Sequence, residues 1–194
     1  MFILYAIVLG VALGLLLRGR LAGVGEIELR WSWLIALGLF VQLILFSDFV
    51  AARVGVLGPS IYVISSMVVL IAVLRNADVP GMAIVAAGAA ANQLAIVANG
   101  GFMPAGADAL AAQQRHAEGL YSNSAAIANP AFPYLTDIFA MPTWLPMANI
   151  FSVGDVLIGV GVIVAIVVAM RRPARAAGAP GKLPQAEAAT STNG

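Results

Sequence analysis

Apolar residues in this chain come in long blocks. They occupy residues 2–17, 31–49, 61–74, 80–98 and 151–170, and each block is bounded by charge, glycine or proline. A membrane helix needs about 20 mostly apolar residues, because the hydrocarbon core is ~30 Å thick and a helix rises ~1.5 Å per residue. The pattern therefore predicts an all-α fold, a polytopic transmembrane bundle of about five spans within residues 1–170. A long polar loop, residues 99–149, separates the last two spans. Residues 171–194 are rich in Ala, Pro and Gly and are expected to form a disordered tail.

Details within the blocks sharpen the reading. Residues 2–17 carry no Lys or Arg before the apolar core, whereas Arg18 and Arg20 follow it. A signal peptide has the opposite arrangement, so the first block reads as a retained helix. Trp31 and Trp33 sit where an interfacial aromatic belt belongs. Pro80 suits the first turn of a helix, where its missing N–H costs nothing. The fourth span is crowded with small residues, among them Gly81, Ala86, Gly88 and Ala91. Small residues allow close helix approach in lipid, which places this span at the centre of the bundle. Asn99-Gly100-Gly101 reads as a helix stop. In the loop, residues 107–118 have the look of a short surface helix, and the aromatic segment Met141-Pro-Thr-Trp-Leu-Pro146 is expected against lipid headgroups.

Charge fixes an orientation. With the N-terminus outside, Arg18, Arg20, Arg30, Arg75, Arg171, Arg172, Arg175 and Lys182 face the cytoplasm, and Arg53 and Arg115 face out. The positive-inside rule favours this arrangement over its inverse. The polar loop is then extracytoplasmic and the tail cytoplasmic. Composition agrees with a multi-pass protein of the bacterial cytoplasmic (inner) membrane: 61% hydrophobic, 10% charged and a mean hydropathy of +0.96. A soluble domain has roughly 25% charged residues. The partner expected first is the lipid bilayer. A net charge of +1 without a basic stripe gives no nucleic-acid partner. The absence of cysteine excludes disulfides and thiolate chemistry. No cofactor and no metal are called for, since His116 stands alone.

Polar residues within the spans gather at the outer end: Asp48, Asn92, Gln93, Asn99 and Asp155, with Ser65 and Ser66 nearer the middle. An ionisable residue in a membrane segment is a functional-site hypothesis by default. The gathering suggests a cleft that opens outward. Asp155 is its centre. Ser152-Val-Gly-Asp155 also has the spacing of a capping box, so the carboxylate has a structural role available. Asn92 and Gln93 suit interhelical hydrogen bonding. Asp137, in the locally apolar Tyr134-Leu-Thr-Asp-Ile-Phe139, reads equally as a solvated turn residue or as an acid dipping into the interface. Asn92, Asn99 and Ser152 are candidate ligand-binding residues. Asp155 and Asp137 are candidate catalytic carboxylates. Gly154 and Gly161 make a smooth face on the last span.

Two resemblances rest on these residues. Asn99-Gly-Gly-Phe-Met-Pro104 and Phe151-Ser-Val-Gly-Asp155-Val-Leu-Ile158 resemble an uncharacterised family of bacterial membrane proteins, which implies no activity. The C-terminal third is also similar to lipoprotein signal peptidase, an intramembrane aspartyl protease. That family begins its last helix with Phe-Asn-x-Ala-Asp, and Asp155 matches its aspartate. Asp137 falls roughly where an upstream aspartate occurs. The peptidase's other catalytic aspartate lies in Asn-x-x-Asp-Arg, where this chain has Asn99-Gly-Gly-Phe102. Three readings stand in order. The first is a protein that binds a lipid, a lipoprotein or other lipid-linked ligand, or a membrane-protein partner in the outer cleft. The second is an aspartyl peptidase or hydrolase, and the third a structural subunit of a membrane complex.

Overall fold

A computed structural model describes residues 2–112, 124–125 and 127–173. The expected tail, from residue 174 onward, His116, Arg115 and most of the expected 107–118 helix lie outside these residues. The fold is mostly helical with little strand. In chain order come α1 (Phe2–Leu16), α2 (Ala22–Gly25), α3 (Ser32–Leu45), α4 (Asp48–Ala51), α5 (Gly58–Leu74), α6 (Met82–Ala98), α7 (Ala107–Ala112) and α8 (Val153–Arg171). Two-residue strands β1 (Met103–Pro104) and β2 (Ser124–Ala125) pair in parallel, and β3 (Phe139–Ala140) and β4 (Ile150–Phe151) pair antiparallel. Gly55–Leu74, which joins a 3-10 turn to α5, and Val153–Arg171 are long and apolar enough to cross a membrane; α1, α3 and α6 are shorter apolar helices.

The long helices form an open row, α1–α8–α6–α5–α3, in which the main packing runs from each helix to the next. The residue pairs give the directions. Gly38 of α3 lies against Ser65 and Val69 of α5, and Phe46 beyond its end meets Tyr62, so α3 and α5 are antiparallel. Val73 of α5 packs with Met82 and Val85 of α6, while Gln93 reaches Val63, so this pair is antiparallel too. Gly14 of α1 faces Met170, and Gly159 faces Phe2, which makes α1 and α8 parallel. Successive long helices thus alternate in direction. α6 sits in the middle of the row, as its small residues suggest.

Glycine sets the α6–α8 spacing. A Cβ on Gly88 would overlap the carbonyl of Gly154, and one on Gly161 would overlap Gly81 and Val85. Both pairs are seven residues apart, Gly81 with Gly88 and Gly154 with Gly161, so they form one antiparallel seam. Seven residues is close to two helical turns, which keeps both contacts on one face.

The two ends differ. Arg18, Arg20, Arg30, Arg75, Arg171 and Arg172 lie where α1, α5 and α8 finish and α3 begins. Here Arg20 donates to Glu26 at 3.3 Å, and Arg30 to Asp78 at 2.9 Å. Asn76 is fully buried and fixes the α5–α6 turn to the start of α3. Its Nδ2 donates to the carbonyls of Ala72 at 2.7 Å and Arg30 at 2.8 Å, and its Oδ1 accepts from the Arg30 N–H at 2.7 Å. The loops after α6 occupy the other end. There Gly100 and Gly101 adopt φ of +71° and +88°, and the Gly101 N–H donates to Ile96 O at 2.9 Å, which ends α6 as the sequence suggests.

Two boundaries shift. Residues 31–49 do not make one helix: α3 ends at Leu45 and a separate turn, α4, follows. The Ser47 hydroxyl donates to Ile44 O at 2.6 Å and its backbone is extended, so a local side-chain bond competes with helix propagation. The stretch from residue 50 to 60 carries the end of α4 and a 3-10 turn where a plain turn is expected.

The seam predicts that Gly88→Val or Gly161→Val lowers unfolding stability by about 1–3 kcal/mol, the usual range for overpacking. Gly25→Ala has open space around it and should stay within about 0.5 kcal/mol. Denaturant titration in detergent, followed by circular dichroism, compares them; equal effects at all three positions would remove the seam as the determinant of packing.

Candidate functional site

α8 starts where the sequence provides a cap. Ser152 is extended, with φ −103° and ψ 172°. Its Oγ accepts from the Asp155 N–H at 3.0 Å, and Asp155 Oδ2 accepts from the Ser152 N–H at 3.0 Å. The capping box is therefore complete. Asn92 of α6 closes it into a ring. Its Nδ2 donates to Asp155 Oδ1 at 2.9 Å, and its Oδ1 accepts from the Ser152 hydroxyl at 2.8 Å. The amide can have only this orientation, since a carboxylate accepts and does not donate. Ser152 is fully buried. Gly154 makes the approach feasible, because a Cβ there would overlap the Asn92 amide.

The ring forms one wall of a cavity of about 210 Å³. Asn92, Asp137, Asn149 and Asp155 contribute its polar lining; Phe2, Ile3, Tyr62, Ile96, Met103, Ile150 and Ile158 close the rest. Asp137 is 4% exposed, although its segment is a loop. The backbone explains how it is held there. The Asp137 N–H donates to Pro104 O at 2.9 Å and its carbonyl accepts from the Gly106 N–H at 3.0 Å, so this segment runs beside residues 104–106. Asn149 closes the hairpin above β3 and β4, its carbonyl accepting from the Met141 N–H at 3.0 Å. Its side-chain Oδ1 is buried and accepts no hydrogen bond among the described residues. Around this region Phe139, Phe151 and Phe2 stack in sequence, with centroids 5.3 and 4.6 Å apart. Tyr5 donates to Pro146 O at 2.6 Å, which ties α1 to the hairpin.

The candidates thus divide. Asn92, Ser152 and Asp155 form one hydrogen-bonded unit, and Asp137 shares a cavity with two of them, Asn92 and Asp155. Asn99 does not line that cavity. Its Nδ2 donates to Ala95 O at 2.7 Å and Ala131 O at 3.0 Å, and its Oδ1 accepts from the Ala131 N–H at 2.8 Å. Its amide is committed to holding the loop on the end of α6. Gln93 is buried between helices and donates to Val63 O at 3.3 Å. Ser65 and Ser66 bond back to the carbonyl of Tyr62 on their own helix. Asp48 and Asp108 are exposed. Among the described residues, no three His, Cys, Asp or Glu side chains group as a metal site. Tyr62 and Asn149 carry no sequence signal for the cavity. Tyr62 lies in an apolar run, and Asn149 is placed only by the β3–β4 pairing.

Residues 26–167 match the family of unknown function DUF5317, and the chain belongs to that family. The matched segment contains Asn92, Asp137, Asn149, Ser152 and Asp155. No curated protein and no solved structure matches the chain.

If the ring is one unit, Asn92→Ala and Ser152→Ala should be non-additive. Ser152→Ala removes a cap worth about 1 kcal/mol. Asn92→Ala strands buried partners, at about 1–3 kcal/mol. A double-mutant cycle on unfolding stability should give a coupling above about 0.5 kcal/mol, whereas Asn99→Ala paired with Ser152→Ala should give none.

Proposed function

We propose that this DUF5317 member is a multi-pass protein of the bacterial cytoplasmic membrane, with five spans, N-terminus outside and C-terminus inside. Its cavity at the loop end would hold the polar head of a lipid or lipid-linked molecule. The alternating directions of the five long helices support five crossings. So do the arginines gathered at one end, with Arg53 the exception among the described residues. The helices at the ends of the row turn large apolar side chains outward, among them Leu9 and Leu16 of α1 and Phe40 and Leu43 of α3. Surfaces of that kind suit lipid. α1, at 15 residues, spans about 22 Å as a helix, so the flanking residues complete its crossing.

The observation that carries the ligand reading is the cavity itself. It combines four polar side chains with apolar walls at the end of long apolar helices. Ligand sites are concave and largely apolar, with a few placed polar groups. The hairpin above it presents Trp144, 79% exposed, and Met147 to the surroundings, as expected of a segment resting at a membrane interface.

An aspartyl hydrolase is the second reading, because Asp137 and Asp155 line the same cavity. Aspartyl catalysis needs two carboxylates sharing a proton. Asp155 is instead committed to a cap and to Asn92, which favours binding over catalysis. Incubation of a lipid-modified prolipoprotein with purified protein separates the two. No cleavage is expected; cleavage lost in folded Asp155→Asn and Asp137→Asn variants would replace the binding reading with a peptidase.

Binding predicts that protein extracted in native nanodiscs carries an amphiphile at near one per chain, depleted in Asp137→Leu. Wild-type protein whose lipids match the bulk membrane would count against it. Topology is testable because the chain has no cysteine. A cysteine at Thr143 should react with an impermeant maleimide in intact spheroplasts, and one at Ala77 only after lysis. The reverse pattern would invert the orientation.

A further inference from the structure

We infer that the head group taken by this cavity is a cation, specifically an alkylammonium, and not a phosphate or other anion. The inference rests on the head-group reading above and narrows it. The charge of Asp155 carries it. Its carboxylate accepts from the Ser152 N–H at 3.0 Å and from the Asn92 amide at 2.9 Å, and both donors are neutral. Neither ion pair among the described residues involves it. These donors meet part of its hydrogen bonding and the N-terminus of α8 offsets part of its charge, but no cationic side chain among the described residues pairs with it. An ionised carboxylate has about four acceptor positions, so about two remain for a ligand.

The rest of the lining points the same way. Among the described residues, none that lines the cavity is Lys, Arg or His. Arg53 is engaged elsewhere, with its guanidinium 4.0 Å from the centre of the Phe49 ring and a hydrogen bond to Phe49 O at 2.8 Å. Asn149 Oδ1, buried and without a donor, is an acceptor awaiting one. A primary ammonium brings three donors and one positive charge. Phe2 and Tyr62 add aromatic rings to the wall. An anion would meet the Asp155 carboxylate and the unsatisfied Asn149 Oδ1, and both repel it. A volume of about 210 Å³ accommodates a compact head group.

The test uses full-length protein in nanodiscs of neutral lipid, with empty nanodiscs subtracted. The probes are dodecylammonium, dodecyl phosphate and dodecanol, titrated calorimetrically. Dodecylammonium should bind at least tenfold more tightly than either other probe. Asp155→Asn should weaken it at least tenfold. Because that substitution also touches the cap, Asn149→Leu provides a second variant outside the capping box, and it should weaken dodecylammonium binding as well. Tighter binding of dodecyl phosphate would overturn the ammonium assignment while leaving the head-group reading intact. Equal and negligible binding of all three would overturn both. Undiminished ammonium binding in a folded Asn149→Leu protein would overturn the assignment of the ligand to this cavity.

Discussion

The hydrogen-bonded ring of Asn92, Ser152 and Asp155 is the constraint on which the loop end of the molecule depends. Each bond in it contributes about 1 kcal/mol net, but the asymmetry matters more. Removing one member leaves buried partners without bonds, at about 1–3 kcal/mol apiece. The ring is possible only because Gly88 and Gly154 let the two backbones approach. Small residues and polar bonds are therefore one device. The glycines set the distance, and the polar groups fix the register and the rotation of α8 against α6. Once those are fixed, Asp155 is held in the wall of the cavity.

Asparagine recurs as the joining element at both ends. Asn76, just after α5, donates to the carbonyl four residues earlier and exchanges two bonds with the backbone of Arg30. Asn99, just after α6, donates to the carbonyl four residues earlier and exchanges two bonds with the backbone of Ala131. The physics is the same. An amide can donate to a carbonyl of the helix's last turn while pairing with the backbone of a distant loop residue. An amide offers both a donor and an acceptor, which a carboxylate or hydroxyl cannot do in this geometry without a charge or a rotor to settle. One clamp holds the arginine end and the other holds the loop over the cavity.

Local signals proved legible in the sequence, and long-range ones did not. Ser152-Val-Gly-Asp155 announced its capping box, and Asn99-Gly-Gly announced the end of α6, since both are settled within a few residues. The small residues of α6 announced a central helix. Of the polar residues expected to gather at the outer end, Asn92 and Asp155 line the cavity and Asp48, Gln93 and Asn99 do not. Other features depend on folding across large separations. Asn92 and Asp155 are 63 residues apart, and nothing in either neighbourhood names the other. Asp137 is buried because residues 104–106 happen to run beside it, and Asn149 because β3 and β4 pair. The break at Ser47 was obscured because the residues around it remain apolar. A block of hydrophobic residues does not report its own continuity as a helix.

The distribution of charge along the helices limits what the site can do. α1, α3, α5 and α6 contain no Asp, Glu, Lys or Arg. α8 has its acid in the first turn and its base in the last, with only apolar residues and glycine between them. A path that carried ions or protons from one end to the other would need groups at intermediate depth to lower the cost of the crossing. Ser65 and Ser66, the hydroxyls nearest the middle of α5, are turned back onto their own helix. The charged side chains of the long helices are therefore terminal. An open row with small residues packed in its middle and large ones at its edges suits a scaffold that holds one end in shape. The cavity at that end is bounded by two carboxylates and two amides among apolar side chains, and the long helices below it carry no charged side chain before the opposite end.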